Sequence, residues 1–240
     1  MSLSLKIVDS ADYLESYHEL GIYGEKILNG IGNNIRCGNS LVDSAILSAY
    51  PNLAEDEEEL LRKAQIVFWE KGFTPTSLED LLEAMQIGSG SFYNTFKGGK
   101  KELFSKALQL RRNDLKNFKE QLIQSDSPLD VLKDFFRSLA ETEPHSHLMG
   151  CLIVNTIIEM TFVDTKFQQE ALVILREMEQ IYIWAIDKAQ KEGKIINRTS
   201  PEILGRYLVT FWSGLNVIRR MYPDKKILAA QIEMQLSILS

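Results

Sequence analysis

From Glu55 onward, apolar residues recur three and four positions apart, and no useful length of chain alternates apolar with polar at every second position. That pattern builds helices with one apolar face and leaves no strand of consequence. In EDEEELLRKAQIVFWEKGF, Leu60, Leu61, Ala64, Val67 and Phe68 fall on one side of a helix over 57–71. The acidic run Glu55 to Glu59 stands at its start, where negative charge favours the positive end of the helix dipole, and Gly72 ends it. Thr76 and Ser77 precede LEDLLEAM, whose Leu78, Leu81, Leu82 and Met85 share a face. Ser77 and Asp80 have the spacing of a capping box, with Asp where Glu or Gln is usual. A short helix over 89–96, a Gly98-Gly99 break and a long helix from Lys100 to about Gln124 come next. Ser127-Pro128 caps and opens another. EPHSH reads as a polar loop, and helices follow over 149–161, 165–192 and 200–221, with KKILAAQIEMQLSIL as a terminal helix. The fold class expected is all-α.

The first fifty residues read differently. GIYGEKILNGIGNNIRCGNS is dense in Gly and Asn, both poor helix formers,. A helix from Asp9 to Leu20 and another in SLVDSAILSAY are expected there, and 1–52 stands as an N-terminal extension of unknown role. Charge and cysteine content narrow the setting. A net charge of −6 argues against indiscriminate coating of nucleic acid, yet leaves room for a local basic face,. Two cysteines, Cys37 and Cys151, are too few for a disulfide scaffold, so a reducing cytoplasm is expected,. No apolar run reaches the about 18 residues a membrane span needs, and MSLSLKIVDSADYL lacks the apolar core of a secretory signal,.

The stretch QIGSGSFYNTFKGGKKELF, residues 86–104, places glycines and lysines where a phosphate could approach the backbone. A nucleotide loop fails on residue identity. The Walker pattern needs a glycine where Asn94 stands and a hydroxyl residue where Lys101 stands, and Tyr93 replaces the third glycine of the dinucleotide fingerprint,. Both motifs also follow a strand. Three consecutive short helices, 57–71, 78–85 and 89–96, instead have the layout of a helix-turn-helix, whose second element lies in the major groove. Phe92 and Phe96 would anchor the third helix, leaving Ser89, Ser91, Tyr93, Asn94 and Thr95 as groups for base edges or phosphates,. Between 86 and 116, Lys97, Lys100, Lys101, Lys106, Arg111, Arg112 and Lys116 face only Glu102 and Asp114, a local positive field.

The run from LLRKAQIVFWEKGF through TPTSLEDLLEAMQIGSGSFYNTFKGGKKELFSKAL resembles the DNA-binding domain of the TetR family of bacterial transcriptional regulators. The order matches throughout: F-x-x-x-G-F, Thr-Ser before the second helix, then S-F-Y-x-x-F and K-x-E-L-F. GCLIVNTIIE, 150–159, is similar to a segment common in one branch of that family. The resemblance implies that Thr76, Tyr93 and Lys100 meet phosphates, and that Ser89, Ser91 and Asn94 face bases or backbone. Two departures stand out: Gly88 and Ser89 occupy places where a Ser cap and a cation are usual, and Gly98-Gly99 lengthens the following turn by one residue. It implies a helix-turn-helix domain over 53–105 and a helical effector-binding and dimerisation domain over 106–240. The partners implied are an operator in double-stranded DNA, a second copy of the chain and a small-molecule effector, and no membrane.

Other candidate chemistry is thinner. His145, His147 and Cys151, near Glu141 and Glu143, lack a second ligand cluster, so no metal site is expected,. Glu15-x-x-His18 resembles half of a di-iron motif with no other half. Cys151 reads as a small buried residue, with a redox role as the sharper reading. On the C-terminal helices, Cys151, Asn155, Glu159, Phe162, Trp184 and Trp212 are the candidate ligand-binding residues, alongside core aromatics such as Phe135, Phe136, Tyr182 and Phe211 and the polar Asn216,. No paired carboxylates or nucleophile arrangement suggests an enzyme, and no cofactor is expected. The competing reading is a helical small-molecule-binding protein or enzyme whose DNA-binding head is vestigial.

Overall fold

The computed structural model describes residues 51–142, 144–222 and 224–240, with side chains from Glu57 onward apart from that of Pro144. The helices expected over Asp9–Leu20 and in SLVDSAILSAY, and the Glu15/His18 pair, lie outside the described residues. The chain divides into two units, Met1–Glu55 and Asp56–Ser240, and everything below concerns the second, together with Pro51–Glu55, where its first helix begins. Its elements are α1 (Pro51–Lys71), α2 (Leu78–Met85), α3 (Ser89–Thr95), α4 (Gly99–Gln124), α5 (Pro128–Ser138), α6 (Pro144–Met149), α7 (Leu152–Met160), α8 (Thr165–Lys191), α9 (Pro201–Met221) and α10 (Lys225–Leu236), with short 3-10 turns at Leu139–Glu141 and Ser237–Leu239. Among the described residues there is no strand, as the period predicts. None of these helices is long and apolar enough to cross a membrane.

Two expectations are corrected. α1 begins at Pro51, six residues earlier than the sequence suggested, so the acidic run sits inside the helix rather than at its positive end. Its carboxylates pair with cations instead: Glu58 with Arg62 at 2.8 Å, Glu59 with Lys63 at 2.7 Å and Glu57 with Lys106 of α4 at 2.6 Å. EPHSH is not a loop but contributes to α6, six residues opened by a proline. A helix that short gives too few repeats for its period to show.

The helices build around α8, against which α4, α5, α7 and α9 pack. α9 approaches α8 at Gly205, where a Cβ would stand 2.5 Å from the Ile183 side chain, so only glycine fits without a shift,. Two aromatic clusters knit the core. Phe73, Phe104 and Phe167 meet with centroids 4.8–5.1 Å apart, joining the α1–α2 turn, α4 and α8. Further along, Phe135 stacks on Trp212 at 5.3 Å and Phe136 on Phe211 at 5.3 Å, tying α5 to α9. Such offset and edge-on pairs add roughly 0.5–1.5 kcal/mol each beyond their buried area.

Candidate DNA interface and effector-domain core

The head is held together by few, specific contacts. Ser77 accepts from the Asp80 amide at 3.0 Å while the Asp80 carboxylate accepts from the Ser77 amide at 2.8 Å, so the capping box at α2 forms as its spacing implies. Lys71 binds the same carboxylate and, with the capping bonds, holds its pKa down to about 2. α3 starts at Gly88 with no side-chain cap. Phe92 and Phe96 are fully buried and fix its inner side. Ser89, Tyr93 and Asn94 are exposed and Ser91 is half-buried, so α3 presents hydroxyl, phenol and carboxamide groups outward together.

Two residues expected to meet phosphates, Thr76 and Lys100, make internal bonds here. Thr76 is buried and its hydroxyl donates to the Gly72 carbonyl at 2.5 Å. Lys100 donates to the Thr76 carbonyl and lies over the Phe73 ring, 4.4 Å from its centroid; burial lowers its pKa. The cations beyond α3 are also largely neutralised in place. Lys101 pairs with Asp164 at 3.1 Å, Lys106 with Glu57, Arg111 with Asp114 at 3.4 Å and Arg112 with Glu177. Lys97, directly after Phe96, is exposed and has no ion pair among the described residues. Of the cations in the positive field read from composition, Lys97 just beyond α3 and Lys116 on α4 are the exposed ones without an ion pair among the described residues.

The six ligand candidates are not brought together. Phe162 is 98% exposed and Trp184 38%, whereas Cys151 and Trp212 are buried. Asn155 donates to the Met149 carbonyl at 3.0 Å. Glu159 serves the head: its carboxylate accepts from the Phe73 amide at 2.9 Å and the Thr74 amide at 2.6 Å, gripping the α1–α2 turn from α7. An open groove of about 500 Å³ between α8 and α9, lined by Leu175, Glu179, Arg206 and Thr210 among others, contains none of the six. The two histidines make unrelated contacts, His145 beside Glu70 at 3.4 Å and His147 buried with Nδ1 3.5 Å from the Thr142 hydroxyl. Among the described residues no group of three acidic, histidine or cysteine side chains could hold a metal ion.

Sequence reasoning passed over Arg219 and Trp69. Arg219 is buried, and its Nη2 donates to the Gly150 carbonyl at 3.0 Å; Trp69 Nε1 of α1 donates to the same carbonyl at 3.2 Å. Gly150 has φ +69°, a left-handed value, and a Cβ there would stand 2.4 Å from Arg220 Nη2. A signal for Arg219 was present: it follows Trp212 and Asn216 at helical spacing on a face that is otherwise apolar,.

Comparison with known proteins agrees with this geometry. Residues 60–107 match the family model described as bacterial regulatory proteins, tetR family, and 128–234 match the model for the tetracyclin repressor-like C-terminal domain. The chain is 28% identical over 160 residues to the HTH-type transcriptional repressor DhaR of Mycobacterium sp. strain GP1, covering 65% of this chain and 78% of that one. It is 27% identical to the uncharacterized HTH-type transcriptional regulator YezE of Bacillus subtilis, over 77% of this chain and 96% of that one. In fold it is similar to reduced NemR of E. coli, with TM-score 0.67, 19% identity and coverage of 78% and 98%. It is also similar to a CifR cysteine mutant complexed with a 26-base-pair operator, with TM-score 0.61, 24% identity and coverage of 75% and 95%. With both halves matched in order, the chain belongs to the tetR family of bacterial transcriptional regulators.

Proposed function

We propose that this chain is a homodimeric repressor that binds a palindromic operator and is released by a small-molecule effector, acting in the cytoplasm by binding rather than by catalysis. The observation that carries it is α3, anchored by Phe92 and Phe96, with Ser89, Tyr93 and Asn94 on the outside and the exposed Lys97 just beyond its end. The relative DhaR, named a repressor, and the operator-bound CifR support the same direction. The head spans 53–105 and the effector and dimerisation region 106–240; the boundary falls inside α4, so the division is one of role rather than a break in packing. A second copy is supported by an uncovered stripe on α9, where Ile203, Thr210, Gly214, Val217 and Met221 are exposed, next to Ile227 and Met234 of α10. An isologous four-helix contact between two such pairs would cover it.

A mobility-shift titration of the full chain with fragments of its own upstream DNA tests this. A sequence-specific complex that weakens with salt is expected. Lys97→Ala should lower affinity for all sequences and reduce the slope of log K against log salt by about 0.9. Asn94→Ala should instead change base preference, by about 1–3 kcal/mol at the position it reads. Absence of any specific complex would favour a helical binding protein or enzyme with a vestigial head.

A further inference from the structure

The inner face of α9 carries a positive charge with no counter-ion. Arg219 is 5% exposed, its Nε has no hydrogen-bond partner, and no carboxylate pairs with it among the described residues. Three more buried polar atoms are unpartnered: the Tyr182 hydroxyl, Trp212 Nε1 and Asn216 Oδ1. They share a neighbourhood. Trp212, Asn216 and Arg219 lie at i, i+4 and i+7 on one side of α9,. The Arg219 guanidinium reaches the Gly150 carbonyl, beside the buried Cys151 at the start of α7. The Phe136 ring is 5.8 Å from that of Tyr182 and 6.3 Å from that of Trp212.

An arginine stays protonated in proteins, and a buried charge left unpaired is strongly unfavourable. Water could serve the phenol, the indole and the amide, but it would not neutralise the guanidinium. We infer that Tyr182, Trp212, Asn216 and Arg219 form a binding site for a small organic carboxylate with a short apolar tail, its role as effector resting on the regulator reading above. One uncompensated charge calls for a monoanion. Three donors, the phenol O–H, the indole N–H and the guanidinium Nε–H, suit the lone pairs of one carboxylate. Asn216 Nδ2 is committed to the Trp212 carbonyl at 2.7 Å, so its Oδ1 remains an acceptor. An acid that also carries a hydroxyl therefore satisfies one more group than the plain acid. Phe135, Phe136 and Phe211 supply the apolar surround.

The same site has a wire to the head. The Gly150 carbonyl accepts from Arg219 and from Trp69 of α1, so a ligand that draws Arg219 toward itself loosens or shifts a bond that α1 shares. Such a ligand moves the equilibrium only by preferring one arrangement of that carbonyl over the other.

The test uses the full chain, freed of carboxylate buffers, titrated with sodium propanoate and sodium lactate and read by tryptophan fluorescence and thermal melting. Sodium chloride controls for ionic strength, and propanamide is the uncharged counterpart. Both acids should give a saturable signal and a raised Tm, lactate binding more tightly, with no response to propanamide. Arg219→Met should abolish the response while folding at least as stably as the parent without ligand. Should that variant not fold, Tyr182→Phe and Trp212→Phe each weaken propanoate binding by roughly tenfold, the loss of one hydrogen bond to an anion. No saturable response to either acid, an equal response to propanamide, or an undiminished response in the variants overturns the site. Operator binding is measured on the same samples. Protein that binds DNA and ignores the acids sinks this inference alone; protein that binds the acids and no DNA sinks the regulator reading alone.

Discussion

Lys100 donates to the Thr76 carbonyl and covers the Phe73 ring, so it helps to hold the α1–α2 turn. Substituting it would loosen the head as well as weaken DNA binding, which makes Lys97 the cleaner probe of backbone contact. His147 is the residue whose titration matters to the fold. It is 3% exposed, and burial, followed by the nearby Arg219, lowers its pKa below the ordinary 6.5. A depressed histidine pKa means that the unfolded chain takes the proton more readily. The stabilisation is therefore complete above pH 6.5 and is lost as pH falls from there toward the lower folded value,. Melting curves from about pH 8 to about pH 5.5 should show a larger drop in Tm for the parent than for His147→Gln. Superimposable pH profiles would assign the drop to other groups. Nothing in the spacing of EPHSH announced this burial, because the helix that carries His147 is too short to display a face.

At the scale of elements, the sequence spoke most clearly where both partners of an interaction lie within one turn of each other. The Ser77–Asp80 box, the Leu81 and Met85 face and the paired Phe92 and Phe96 anchors all formed as their spacing implied. Contacts across long separations were invisible. Glu159 reads as one polar residue on an apolar helix, and nothing local says that it binds amides 85 and 86 positions upstream. It makes α7 a latch on the head. Glu159→Gln, which keeps the shape and halves the acceptors, should cost about 1.5–3 kcal/mol in urea unfolding, the range for hydrogen bonds to a charged group. It should also blunt the release of operator by effector while leaving effector affinity nearly unchanged. If release is as efficient as in the parent, the latch carries no signal. The ligand candidates scattered for the same reason. Helical spacing places Phe162 and Glu159 on α7 and its end, but it does not say which residues of α8 and α9 they face.

For the molecule as a whole, the exposed stripe of α9 is the feature with the widest reach. Val217 is 49% exposed and Met221 62%, and nothing lies within 4 Å of where a Gly214 Cβ would stand, so a second helix can approach closely there. Val217→Asp should yield a monomer by light scattering and lower operator affinity by more than tenfold, because one half-site then binds alone. A dimeric variant with parental affinity would place the interface elsewhere.

The Phe73, Phe104 and Phe167 cluster carries a consequence for how such a chain can be rearranged. The DNA-reading head supplies the first two rings and α8 the third, so the head does not close its own core. Each buried phenylalanine side chain is worth about 1.5–3 kcal/mol relative to exposure. Excised near residue 105, the head would show Phe73 and Phe104 to water, and no linker length would restore the missing ring. The reader of DNA here is not a portable module. To graft its specificity onto another regulator, one would transplant the outward side chains of α3 and leave the seam behind.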